Sequence, residues 1–169
     1  MQIQPIYNNI YTQPIYQPAP KTTSEYATIQ MPKGKRNYII ADKNKVDYFV
    51  KRKEMGLPVI SNILSRSNDE AEITEHLYIL DRMIDNGTKG VDKMYPVLSR
   101  FNNTNSPNIQ TFLAGIYRKT QIPDAFGPLL AMIFRNSINP PQANFDPNEE
   151  VGGALLSYLS DRYRDNTKE

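Results

Sequence analysis

From residue 42 onward, apolar positions recur with helical spacing, and caps and breakers punctuate them. Asp42 is placed to cap a helix reaching about Met55, with Val46, Phe49 and Val50 on one face and Gly56 then Pro58 ending it. A short helix over Ser61 to Ser65 follows. Asn68 is placed to cap a helix over 69–86. Its first turn is acidic (Asp69, Glu70, Glu72), its stripe runs Ile73, Leu77, Leu80, Ile84, and Gly87 stops it. The next helix is expected over 91–101, with Pro96 restricting its start or bending it. Ser106-Pro107 reads as a cap and first-turn proline, leading into Ile109, Phe112, Leu113 and Ile116 and ending near Lys119. Pro123 opens an apolar helix through Phe126, Leu129, Leu130, Ile133 and Phe134. After a proline-limited connection from Asn139 to Pro147, a last helix is expected to bury Val151, Leu155, Leu156, Leu159 and Tyr163. Together the stripes predict an all-α fold, a compact bundle of about five to seven short helices over residues 37–169.

Residues 1–36 follow neither period. Pro5, Pro14, Pro18, Pro20 and Pro32 fix their own φ and push the preceding residues out of the helical region, which predicts an extended interaction arm. Within it Gln4-Pro5-Ile6-Tyr7 is repeated as Gln13-Pro14-Ile15-Tyr16, with Ile10-Tyr11 between. The two copies are nine residues apart, at most roughly 30 Å when extended. Ile6, Tyr7, Ile10, Tyr11, Ile15 and Tyr16 are the candidate partner-binding residues, because exposed Ile-Tyr pairs serve as anchors when a tail docks. They suit two sites on one large partner or on neighbouring copies in an assembly.

Charge sharpens one segment. The chain carries +2 overall, but 33–54 holds eight basic residues against three acidic ones, whereas 1–32 is neutral. Lys35, Arg36, Lys51, Arg52 and Lys53 are candidate phosphate contacts, with Tyr38, Tyr48 and Phe49 available for stacking. A basic segment lying against its own acidic body accounts for the same pattern. Pro32-Lys33-Gly34-Lys35-Arg36 lacks the spacing of a nucleotide-binding loop.

Absences of residue types narrow the chemistry. With no cysteine and one histidine, disulfides, thiol nucleophiles and thiolate or multi-histidine metal sites are excluded, and no cofactor or metal is expected. His76 is read as a surface or boundary residue. Asp81 and Asp85, four apart on one helix, are read as a solvated pair. The apolar fraction is 39%, the mean hydropathy is -0.58, and no run of eighteen apolar residues occurs, so no membrane span is expected. No secretory signal is visible at the start, giving an intracellular or virion setting as the expectation. Ser24-Glu25-Tyr26-Ala27-Thr28-Ile29 and Tyr7-Asn8-Asn9 fit short phosphotyrosine motifs.

Val97-Leu98-Ser99-Arg100-Phe101-Asn102, followed by Asn108-Ile109-Gln110-Thr111-Phe112-Leu113, resembles a segment of the hexon-linking minor capsid protein of adenoviruses. That family shows an aromatic-Asn pair after an arginine and then an Asn-hydrophobic-Gln helix start. The helix over 75–86 falls in the matching place, and the likeness covers residues 60–118. This chain differs in the residues between Asn102 and Asn108, in its Tyr/Pro arm and in being much shorter. The resemblance implies a non-enzymatic cement protein that holds coat proteins together on the inner surface of a virion.

The residues alone lead to a compatible expectation: a structural or adaptor protein, not an enzyme, whose arm docks onto a larger protein assembly and whose oligomeric state is open. The alternative is a small nucleic-acid-associated or regulatory protein acting through 33–53.

Overall fold

The computed structural model describes the backbone of residues 24–30, 36–141 and 146–167, and the side chains of 41–141 and 146–161. The body is all-α, as the stripes predict. The helices are α1 (Lys43–Arg52), α2 (Leu57–Arg66), α3 (Glu70–Asp85), α4 (Tyr95–Leu98), α5 (Pro107–Thr120), α6 (Phe126–Ile138) and α7 (Pro147–Thr167), with short turns and 3-10 segments between those from α1 to α6.

A β-hairpin precedes them. Strand β1 (Ser24–Gln30) pairs antiparallel with β2 (Arg36–Asp42), Ser24 opposite Asp42 and Gln30 opposite Arg36. The pairing straddles residue 36, the boundary that composition sets between arm and body. Asp42 ends β2 and caps α1, its carboxylate accepting from the Asn44 N–H at 2.9 Å.

The centre is α5, whose residues from Ile109 to Tyr117 are all buried. A helix buried on every side must be enclosed by neighbours, and α3 and α7 flank it. Cross-helix contacts set the directions. Glu70 meets Ser106 and Asp81 meets Lys119, so α3 and α5 run parallel. Arg118 meets Glu150 and Gln121 meets Ser157, so α7 runs the same way. Helix α6 returns antiparallel to α7, with Gly152 against Ile133 and Phe126 against Tyr158. On the other flank α1 lies against α3 through Lys45–Glu75 at 3.1 Å.

Several local expectations are corrected. The cap of α3 is Asp69, not Asn68; its carboxylate accepts from the Ala71 N–H at 3.2 Å, while the Ser67 hydroxyl accepts from the Asp69 N–H. The single helix expected over 91–101 is three pieces: a 3-10 turn Val91–Met94, α4, and a 3-10 turn Ser99–Phe101. Pro96 lies in the first turn of α4, where its missing N–H breaks no bond. His76 is buried, not at the surface, being 1% exposed. Its Nδ1 lies 2.8 Å from the Glu72 carbonyl, which can only accept, so Nδ1 carries the proton. Asp81 and Asp85 are not merely solvated: Lys119 Nζ donates to both, at 2.8 and 2.7 Å.

Candidate protein-binding surface

Helix α6 is apolar on more sides than the core can cover. Leu129 and Met132 are buried and Ile133 packs at the seam with α7, but Leu130, Phe134 and Ile138 are exposed, Phe134 by 60% and Ile138 by 85%. These three are four residues apart and form one stripe. On α7, Val151, Ala154, Leu155 and Tyr158 face the core, while Leu156 and Leu159 are exposed. The expectation that Leu156 and Leu159 belong to the buried side of the last helix is therefore corrected.

The two stripes adjoin. Gly152 lies against Ile133 and Tyr158 against Phe126, so in this antiparallel pair Leu130 and Leu156 come to the same level. Leu129 and Leu155 turn inward on one side of the seam, and Leu130 and Leu156 emerge on the other. The exposed positions of α6, namely Gly127, Leu130, Ala131, Phe134, Ser137 and Ile138, include no charged side chain. Soluble surfaces carry scattered apolar residues, but a stripe over two adjoining helices is the feature of an interaction site.

The surface is held on a rigid base. Tyr158 Oη lies 2.5 Å from the Ile122 carbonyl and 3.2 Å from that of Tyr117, pinning α7 to the end of α5. Asn148 donates to the Ile133 carbonyl at 3.3 Å and accepts from Asn136 at 2.9 Å, fixing the start of α7 on the last turns of α6. Arg135 donates to the Asn102 carbonyl at 3.1 Å, which draws that charge away from the stripe. Burial pushes the phenols of Tyr117 and Tyr158 well above the usual tyrosine range, with neighbouring tyrosines adding to it, so both stay neutral hydrogen-bond donors.

The residues singled out from sequence are placed unevenly. Ile6, Tyr7, Ile10, Tyr11, Ile15, Tyr16 and Lys35 lie outside the described residues, and Arg36 is described only as the first backbone position of β2. Lys51, Arg52 and Lys53 are brought together, all exposed, at the end of α1. Arg52 lies over the exposed Tyr48 ring, 5.1 Å from its centroid, and Lys53 reaches the Asn86 carbonyl at 3.4 Å. Glu54 adjoins them; the Lys89 N–H donates to its carboxylate at 2.7 Å and is the main cause holding it below the usual carboxylate range.

A cavity of about 390 Å³ lies between α3 and the start of α5, lined by Ser67, Glu70, Arg100 and Ser106 among others. Its polar groups are engaged in holding the fold. Arg100 donates to the Leu64 carbonyl at the end of α2, and Ser106 both donates to Glu70 and caps α5. The residues behind the capsid-protein resemblance have structural places here. Phe101 is buried, Asn102 accepts from Tyr117 Oη at 2.6 Å, and Gln110 is fully buried.

Among the described residues no cluster of three metal-ligating side chains occurs, and no helix is long and apolar enough to cross a membrane. No protein-family model matches the chain, no curated protein matches it, and no solved structure matches it.

Proposed function

We propose that this chain is a structural or adaptor protein that works by binding other proteins rather than by catalysis. The observation that carries the proposal is the charge-free stripe of Leu130, Phe134 and Ile138 beside Leu156 and Leu159, which leaves large apolar side chains in water on a well-fixed pair of helices. A second adhesive element, the Ile-Tyr arm, precedes the hairpin, and together they give a body that joins members of a larger protein assembly. Tyrosine suits this role through its large contact area on few rotors and a hydroxyl that stays wet, and proline lowers the entropy of ordering the arm. A cement role among the coat proteins of a virion is the specific form that the adenovirus resemblance suggests.

The test is to isolate the protein from its natural source without breaking assemblies and to measure what sediments with it. Co-sedimentation with other proteins at fixed stoichiometry, lost when residues 1–20 are deleted, is expected. Unchanged co-sedimentation after that deletion would refute the role given to the arm.

One observation favours a second reading. Lys51, Arg52 and Lys53 are exposed and Arg52 lies over the exposed Tyr48 ring, a combination that suits a phosphate backbone with a stacked base. Binding to nucleic acid that falls steeply with added salt would support it, and no binding at low salt would remove it.

A further inference from the structure

We infer that the two adhesive elements are each other's partners between copies: an Ile-Tyr pair from the arm of one chain seats on the α6–α7 stripe of another. The inference rests on the protein-binding reading and names its partner as a second copy of this chain.

Charge is the first argument. Residues 1–20 contain no Lys, Arg, Asp or Glu side chain, and the exposed positions of α6 contain none either. An acidic or basic partner would gain nothing from this stripe, whereas an uncharged Ile, Tyr and Pro segment buries its anchors there without stranding a charge. Polar glutamine and asparagine between the anchors remain in water.

Length is the second. From Leu130 to Ile138 the stripe extends about 12 Å at 1.5 Å per helical residue, and an extended Gln-Pro-Ile-Tyr copy covers about 13 Å. One copy fits the stripe. The second copy begins nine residues on, up to roughly 30 Å away, so it belongs on a different chain. The arm is thereby a tie with two heads.

The place where the arm joins the body is the third. The described chain begins at Ser24, paired with Asp42 beside the start of α1. Helix α1 packs on α3, which is separated from α6 by α5. Two further helix layers, each about 8–10 Å thick, lie between root and stripe. Tyr16, only eight residues from Ser24, has at most about 26 Å of reach, too little to follow the surface around those layers to its own stripe, whereas Tyr7, seventeen residues from Ser24, has up to about 56 Å, so the contact between copies is assigned to the Ile15-Tyr16 pair. The stripe of a neighbour has no such obstacle. A donor surface on one flank and an acceptor on the other make a head-to-tail contact, which builds rings or open chains rather than a symmetric pair.

The experiment uses two full-length variants. The first carries Phe134→Ser and Leu156→Ser with its arm intact. The second carries Ile6→Ser, Tyr7→Ser, Ile15→Ser and Tyr16→Ser with its stripe intact. Sedimentation velocity on the wild-type chain is expected to show self-association over the micromolar range, and each variant alone is expected to weaken it at least about tenfold. Mixing the two restores association, as one arm-intact chain with one or two stripe-intact chains. Circular dichroism checks folding, and Leu130→Ser with Leu159→Ser is the alternative stripe variant.

Self-association of the arm variant alone would overturn the inference in favour of a face-to-face dimer. A wild-type chain that stays monomeric would overturn it as well, yet would leave the proposed function standing if the protein still sediments with other proteins and loses them on arm deletion.

Discussion

Gln110 and Asn136 hold each other by both halves of their amides. Gln110 Nε2 donates to Asn136 Oδ1 at 3.2 Å, and Asn136 Nδ2 donates back to Gln110 Oε1 at 2.7 Å. The pair is buried between α5 and α6, and its remaining donors go to the Thr104 carbonyl at 2.9 Å and to Asn148. A buried amide that loses its partner retains the full cost of desolvation. Asn136→Leu is therefore expected to destabilise the fold by about 2 kcal/mol or more, and Gln110→Leu by a similar amount. The double variant should cost less than the sum, since neither amide is then stranded. Urea unfolding of all four chains measures this coupling.

Neighbouring leucines on α6 should behave oppositely. Leu129 is fully buried, so Leu129→Ala is expected to cost about 2–5 kcal/mol. Leu130 and Phe134 are exposed, and changing either to Ser should alter stability by no more than about 0.5 kcal/mol. A thermal melt of each variant distinguishes the two sides.

Gly56 tolerates no side chain where it stands. A Cβ there would lie 2.7 Å from Cδ1 of Phe49, a ring held in the core. Gly56→Ala is expected to cost about 1–3 kcal/mol through displacement of that ring. Pairing it with Phe49→Leu should recover part of the loss, read by the denaturation midpoint.

Two groups of titrations should make the fold sensitive to alkali. Burial alone would disfavour the charge on Lys119, but its hydrogen bonds to Asp81 and Asp85 outweigh this and lift its pKa above 10.5. Tyr117 and Tyr158 are raised above 10.0, chiefly by burial. In each case the folded form holds its proton more tightly than the unfolded form. The stabilisation is fully present below the unfolded values and is lost as pH climbs through the folded ones. Stability should thus be flat in these groups near neutrality and decline above about pH 10. In an ultraviolet titration, Tyr117 and Tyr158 should ionise only as the chain unfolds.

Much of this was legible in sequence where a stripe and a cap agree. Asp42 with Val46 and Phe49 marks α1, and Ser106-Pro107 with Ile109 and Phe112 marks α5. The error at Asn68 arose because Asn68 and Asp69 are both good caps, and one residue of register is decided by the Ser67 hydroxyl, which gives Asp69 its N–H partner. The α6–α7 surface was hidden for a different reason. Phe126, Leu129, Leu130, Met132, Ile133, Phe134 and Ile138 surround the helix, so periodicity cannot say which of them a neighbour covers. The excess of apolar positions over available partners was the signal. The hairpin also left a trace, since Pro32 and Gly34 separate two runs that carry Tyr26, Ile29, Tyr38, Ile39 and Ile40. His76 offered none, because a lone histidine on a helix looks alike inside and out.

The pairing of Ser24 with Asp42 decides how a pull on the arm would reach the body. Both residues sit at the same end of the hairpin, and Asp42 passes into α1 with no intervening linker. Tension between arm and body would open the ladder from that end, one rung at a time, instead of shearing all rungs together. Such a joint yields at low force, and unzipping it to Asp42 pays out about 60 Å of slack before any load falls on the helices. The hairpin would then act as a mechanical fuse, letting linked bodies separate and return without unfolding.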